Sequence, residues 1–186
     1  MTKYFLHGGE FHGGGGLDTN YFSHLFQIDK NQINVLAVYF ARPLAKWDYL
    51  FEEDSRLMKS STDKSIEIRM ASIDSFAEDL EWADVVFYKG GDGPRLTEAL
   101  SHFGNLREKY EGKNIGGTSA GANAHAKYYY SRIGDRVIKG LGVINFNVFT
   151  HYEDKLGIEL QKLREVGENL QIITIPEGEF VIVETK

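Results

Sequence analysis

Lys113-Asn114-Ile115-Gly116-Gly117-Thr118-Ser119-Ala120-Gly121-Ala122-Asn123-Ala124-His125-Ala126 reads as a strand, a sharp turn and the start of a helix, with a hydroxyl at the tip. Its centre fits Gly-x-Ser-x-Gly. Neighbours without bulky side chains let the serine take a strained backbone conformation that lifts Oγ clear of the sheet edge. The amides of the first helical turn then point at whatever Oγ attacks. The same letters also suit a tight glycine turn whose serine merely caps the helix. The rest of the chain has to separate the two.

Upstream, strands and helices alternate. Lys3 to Leu6 is a short strand running into a loop, His7 to Gly16, with six glycines and the histidines His7 and His12. Leu17, Tyr21, Phe22, Leu25 and Phe26 recur at helical spacing. Asn34 to Phe40 is a continuous apolar run, the mark of a strand buried on both faces. Trp47 to Met58 is an amphipathic helix, and Ile66, Ile68 and Met70 alternate as in a strand. Ser75 to Trp82 is a short helix. Asp84 to Tyr88 is another buried strand, ending at Lys89-Gly90-Gly91-Asp92, and a helix runs from Arg95 to about Phe103. The alternation implies a mostly parallel sheet covered on both faces. Ligands bind such sheets at the carboxyl ends of the strands. Three glycine turns fall there: after the first strand, at Gly90-Gly91, and at Ser119.

Downstream the pattern changes. Arg136 to Lys139 and Asn145 to Thr150 read as strands, Leu156 to Val166 as a helix, and Leu170 to Ile175 as a strand. Pro176-Glu177-Gly178 is a turn before a last strand, Phe180 to Val183, which predicts a C-terminal antiparallel hairpin. The fold class expected is α/β, a three-layer α/β/α sandwich in one domain over residues 1–186.

Composition narrows the function classes. The 186 residues are 42% hydrophobic and 26% charged, ordinary for a globular chain. The absence of cysteine excludes disulfides, a thiolate nucleophile and cysteine-ligated metal. The net charge of −6 argues against a nucleic-acid partner. No apolar run reaches membrane-spanning length, and the start of the chain lacks the apolar run of a signal peptide. A cytoplasmic protein without membrane partners is the expectation. No P-loop, dinucleotide fingerprint or metal-ligand spacing is present, so neither cofactor nor metal is expected.

A serine nucleophile needs a base within reach and an acid to orient that base. Among the six histidines, His24 and His102 suit helix positions. His125 lies six residues after Ser119, on a different side of a helix, and suits a structural role. His7 sits on the predicted functional edge and is a candidate to line the pocket. His151, at the end of a strand on the same edge, is the base candidate. For the acid, Asp135, Glu153, Asp154 and Glu177 are all candidates. Choosing Asp135 gives the chain order Ser, Asp, His, as in α/β-hydrolases, with spacings far shorter than that fold inserts.

These residues resemble peptidase family S51, the dipeptidase E and cyanophycinase group. Gly117-Thr118-Ser119-Ala120-Gly121-Ala122-Asn123 resembles its nucleophile motif. Tyr88-Lys89-Gly90-Gly91-Asp92 resembles its strand followed by Gly-Gly-Asn. Leu141 to Asn145, leading to His151-Tyr152, resembles the segment with its catalytic histidine, and Ile175-Pro176-Glu177-Gly178 its closing turn. The resemblance implies a fold related to class I glutamine amidotransferases, with serine replacing their cysteine. It implies Ser119 as nucleophile, His151 as base, Asp135 as acid, and oxyanion-hole amides from Gly91 and Ala120. Asp92 stands where asparagine is usual, and the stretch Lys155 to Leu163 lacks an arginine suited to an aspartyl substrate. Arg132 or Lys89 is then a candidate substitute.

The expectation is a serine peptidase acting on a short peptide, of dipeptidase type. Its pocket is lined by His7, Gly90, Asp92 and Arg132, and monomer and homodimer are both open. Asp92 and the short region after His151 leave a rival, a ligand-binding protein without turnover on the same fold. An esterase or amidase using the same residues is a third reading.

Overall fold

The computed structural model describes residues 1–9, 19–166 and 168–185. His12 and Leu17, the first of the residues expected at helical spacing, lie outside them. The central sheet has six strands. In spatial order they are β10 (Phe180–Thr185), β1 (Thr2–His7), β5 (Asn114–Thr118), β4 (Val85–Tyr88), β2 (Gln32–Val38) and β3 (Ser65–Met70). All neighbours are parallel except β10, which runs antiparallel to β1.

Alternation along the strands explains the layers. Phe5, Val35, Val85 and Phe87 pack beneath α1 (Thr19–Leu25) and α2 (Trp47–Ser60), against Tyr21, Phe22, Leu25 and Met58. Their neighbours Tyr4, Leu36, Val86, Tyr88 and Ile115 face the other way. They meet α3 (Phe76–Trp82), α4 (Gly93–Ser101) and α5 (Leu106–Lys109) through Phe76, Leu80, Leu96, Leu100 and Leu106. Central strands β4 and β5 are buried throughout, whereas edge strand β3 alternates exposed with half-buried residues. This is the expected α/β architecture with helices on both faces.

A second sheet adds β7 (Arg136–Lys139), β6 (Tyr128–Ser131), β8 (Asn147–Thr150) and β9 (Ile172–Ile175), in that order. Beneath it α7 (Gly157–Val166) buries Leu163 against Tyr130 and Phe149. The sheet's Tyr129, Val148 and Ile175 join the same core as Tyr88 and Ile115. The helix after Ser119, α6, is only Ala120–Asn123. The chain turns at once into β6, whose aromatic run Tyr128-Tyr129-Tyr130 suits a strand.

The C-terminal strand pairs antiparallel as expected, but its partner is β1, from Thr2↔Thr185 to His7↔Phe180. Its predecessor β9 instead lies parallel to β8 in the second sheet. Residues 176–179 therefore link two sheets rather than closing a hairpin. Without β10, β1 would present an unpaired edge. Among the described residues no helix is long and apolar enough to cross a membrane.

Candidate active site

Ser119 follows β5 and stands at the N-cap of α6 with φ 49° and ψ −110°, a conformation rarely taken by a residue with a side chain. The surrounding fold holds it there. Its N–H donates to His7 O at 2.9 Å, and its C=O accepts from Asn123 N–H at 2.9 Å. The elbow glycines allow the close packing behind it. A Cβ at 117 would lie 2.5 Å from the backbone of Gly121, and one at 121 would lie 2.3 Å from Tyr88 O.

His151 follows β8, also at positive φ, and its N–H donates to Gly8 O at 2.9 Å. Its ring fills the space a side chain at residue 9 would need, since a Cβ there would lie 2.1 Å from Cε1. On one side Nε2 is 2.8 Å from Ser119 Oγ, and on the other Nδ1 is 2.7 Å from Glu177 Oε1. An ionised carboxylate only accepts hydrogen bonds. Glu177 therefore places the proton of the neutral ring on Nδ1, leaving Nε2 to accept the Ser119 hydroxyl proton.

Strand register explains why Glu177 meets His151. Parallel neighbours β8 and β9 end together, with Thr150 opposite Ile175. The residues just beyond each strand emerge side by side, and Tyr152 N–H donates to Ile175 O at 3.2 Å. The turn is pinned by Gly178 N–H donating to Gly9 O at 3.0 Å. Asp135 is not the partner of His151, contrary to expectation. It sits at the exposed tip of the β6–β7 hairpin, where its carboxylate accepts from Tyr130 Oη and from Lys162 Nζ at 2.9 and 3.0 Å. The Tyr130 hydroxyl first, then Lys162, holds its carboxyl below the usual carboxylate range. The hairpin exists because α6 stops early, and it carries Asp135 away from the His151 ring.

Ser119 and His151 open into a cavity of about 550 Å³. Gly91, Ala120, Asp92 and Arg132 line it. Gly91 and Ala120 offer N–H groups without a hydrogen-bond partner among the described residues. The Asp92 carboxylate caps α4, accepting from Arg95 N–H at 2.9 Å, and so spends its charge at a helix N-terminus. Arg132 lies 3.8 Å from Glu153. Gly90 sits behind the lining, where a Cβ would come within 3.1 Å of Ser119 Cβ.

His7 departs from its expected place as a lining residue. It is buried against the Tyr21 ring at 5.1 Å, its Nδ1 accepts from Gly9 N–H, and it serves Ser119 through its carbonyl. Asn123, Tyr129, Thr150 and Arg136 line the cavity without having been singled out by sequence. Asn123 Nδ2 donates to Thr150 Oγ1 at 2.9 Å, while its buried Oδ1 has no partner among the described residues. Their only signal was the position of Asn123 in the elbow and the aromatic run of β6.

His125 takes the structural part. It is buried beside Tyr88, and its Nδ1–H donates to Gly121 O at 2.7 Å. Burial pushes its pKa from 6.5 down to about 4, opposed by the Gly121 bond. Between those values the unfolded chain holds a proton that the folded chain does not, so stability falls as pH drops from 6.5 toward 4. The expected loss is about 3 kcal/mol. Denaturant midpoints from pH 7 to pH 4 check it, because His125→Phe should lack this part of the decline.

The chain is similar to known proteins in two respects. Residues 13–186 match the family model described as Peptidase family S51. The fold is similar to a 1.5 Å crystal structure from Listeria monocytogenes EGD-e, of a protein named as a candidate peptidase E. The two share 18% identity over 100% of both chains, with a TM-score of 0.67. Comparison with curated protein sequences gave no match. With a family match over nearly its whole length and an elbow serine in hydrogen-bond contact with a histidine on the lining of one cavity, the chain belongs to peptidase family S51.

Proposed function

We propose that the protein is a serine peptidase acting on short peptides, with Ser119 as nucleophile, His151 as general base and Glu177 as the acid that orients it. The continuous hydrogen-bonded chain from Ser119 Oγ through His151 to Glu177, with Ser119 and His151 in the cavity lining, carries this reading. In the proposed cycle Ser119 Oγ attacks the scissile carbonyl as its proton passes to His151 Nε2. The oxyanion is stabilised by the N–H groups of Gly91 and Ala120. His151 then protonates the leaving amine, and water enters by the same route to release the acyl group from Ser119.

The cavity supports the substrate class. Its volume of about 550 Å³ suits a dipeptide better than a strand of folded protein. Arg136 has no ion pair among the described residues, so it and Arg132 suit an anionic group of a small peptide. The engaged Asp92 carboxylate removes one motive for a ligand-binding protein without turnover. The test is a dipeptide panel varied at the N-terminal residue. Hydrolysis is expected for part of the panel, reduced about 10⁶-fold by Ser119→Ala. No hydrolysis across the panel, or unchanged rates in the variant, contradicts the reading.

A further inference from the structure

The Gly90-Gly91 turn is gripped from outside the cavity by a residue with no assigned part in the chemistry. Arg42 lies just beyond β2, and its Nε donates to Gly90 O. Two of the turn's backbone donors are also engaged. Gly90 N–H donates to Thr118 Oγ1 at 2.9 Å, and Asp92 N–H donates to Ala41 O at 2.9 Å. Of the three backbone donors in Gly90-Gly91-Asp92, that of Gly91 alone lacks a partner among the described residues. A trans peptide sets its C=O and N–H on opposite sides. The group that holds Gly90 O therefore also sets the direction of Gly91 N–H. Gly91 lines the cavity with Ser119, and Arg42 does not.

Resting on the proposed peptidase reading, we infer that Arg42 is a positioning residue: its guanidinium fixes and polarises the Gly90–Gly91 peptide, making Gly91 N–H a preorganised donor to the oxyanion formed at Ser119. A cation on the carbonyl draws electron density through the amide and strengthens its N–H as a donor. No carboxylate pairs with Arg42 among the described residues, so the charge is not cancelled locally. The grip is itself anchored. Trp47 Nε1 donates to Arg42 O at 3.0 Å, and the Trp47 ring packs on Phe40 with centroids 5.7 Å apart. The approach is close enough to require glycine at 91, where a Cβ would lie 2.5 Å from Ala41 O and 3.0 Å from Arg42 Cδ. Lys89, next in the chain, is separately tied to Asp54 at 3.0 Å, which steadies the strand end below the turn.

Two probes test this on the full chain: the second-order rate at which a fluorophosphonate labels Ser119, and the kcat and KM for p-nitrophenyl acetate. Arg42→Gln is expected to slow labelling and lower kcat by about 10- to 100-fold, with KM within about twofold. Arg42→Lys keeps a cation on the carbonyl and should recover most of the loss. Methylguanidinium added to Arg42→Ala should restore part of the rate. Thermal melting of each variant separates loss of fold from loss of rate, and if Arg42→Gln does not fold, the Lys and Ala variants decide. Wild-type rates in a folded Arg42→Gln or Arg42→Ala, or a loss carried by KM alone, would overturn the inference. Label on a residue other than Ser119 in the wild type would overturn the peptidase reading, and this inference with it.

Discussion

Glu177→Gln is expected to lower kcat by about 10³- to 10⁴-fold, while Asp135→Asn leaves turnover within about twofold of wild type. The contrast follows from which carboxylate meets His151. Glu177 Oε1 lies 2.7 Å from Nδ1 and fixes the tautomer in which Nε2 accepts the serine proton. A glutamine amide can donate as well as accept, so it no longer enforces that tautomer and cannot stabilise the imidazolium formed on attack. Asp135 is bound to Tyr130 and Lys162 at an exposed hairpin tip, where its loss disturbs only local contacts. The check is steady-state kinetics of both variants on one substrate from the dipeptide panel. Equal rates for Glu177→Gln and wild type would remove Glu177 from the mechanism.

The second large effect lies behind the nucleophile. Gly121→Ala places a Cβ 2.3 Å from Tyr88 O and 2.9 Å from Tyr88 Cβ, both on a buried strand. Backbone cannot rotate away as a flexible side chain does, so α6 has to lift from β4. The expected cost is about 3 kcal/mol or more, with loss of the elbow geometry. Gly157→Ala is the matched control, since nothing lies within 4 Å of a Cβ there and the residue opens α7. That variant should be neutral or slightly stabilising. Denaturant midpoints of the two decide the point.

What the sequence made legible follows from how local each signal was. The parallel core was readable because β2, β4 and the helices around them carry their periodicity within a few residues. The elbow was readable because Gly117, Ala120 and Gly121 lie within two residues of Ser119, and such small residues permit the close packing that goes with its positive φ. His151 was readable as the end of an apolar strand. The partner of His151 was not, because it depends on strand order rather than on chain order. Glu177 reaches the ring only because β9 lies beside β8, and the short turn at Pro176-Glu177-Gly178 pointed instead to pairing of β9 with β10. Asp135 drew attention by lying between Ser119 and His151 in the chain. The β6 strand that carries it away was masked by the alanine-rich run before it. Arg42 gave no signal, since its contact with Gly90 spans two strands of the sheet.

Activation of Ser119 as a nucleophile by His151 is open to a direct test, the mapping of a covalent adduct. The full chain is incubated with a fluorophosphonate, digested, and the modified peptide identified by mass spectrometry. The predicted result is a single adduct on Ser119 in the wild type, reduced at least about 10³-fold in rate by His151→Ala. An adduct on another residue, or labelling of Ser119 at an unchanged rate without His151, would contradict it.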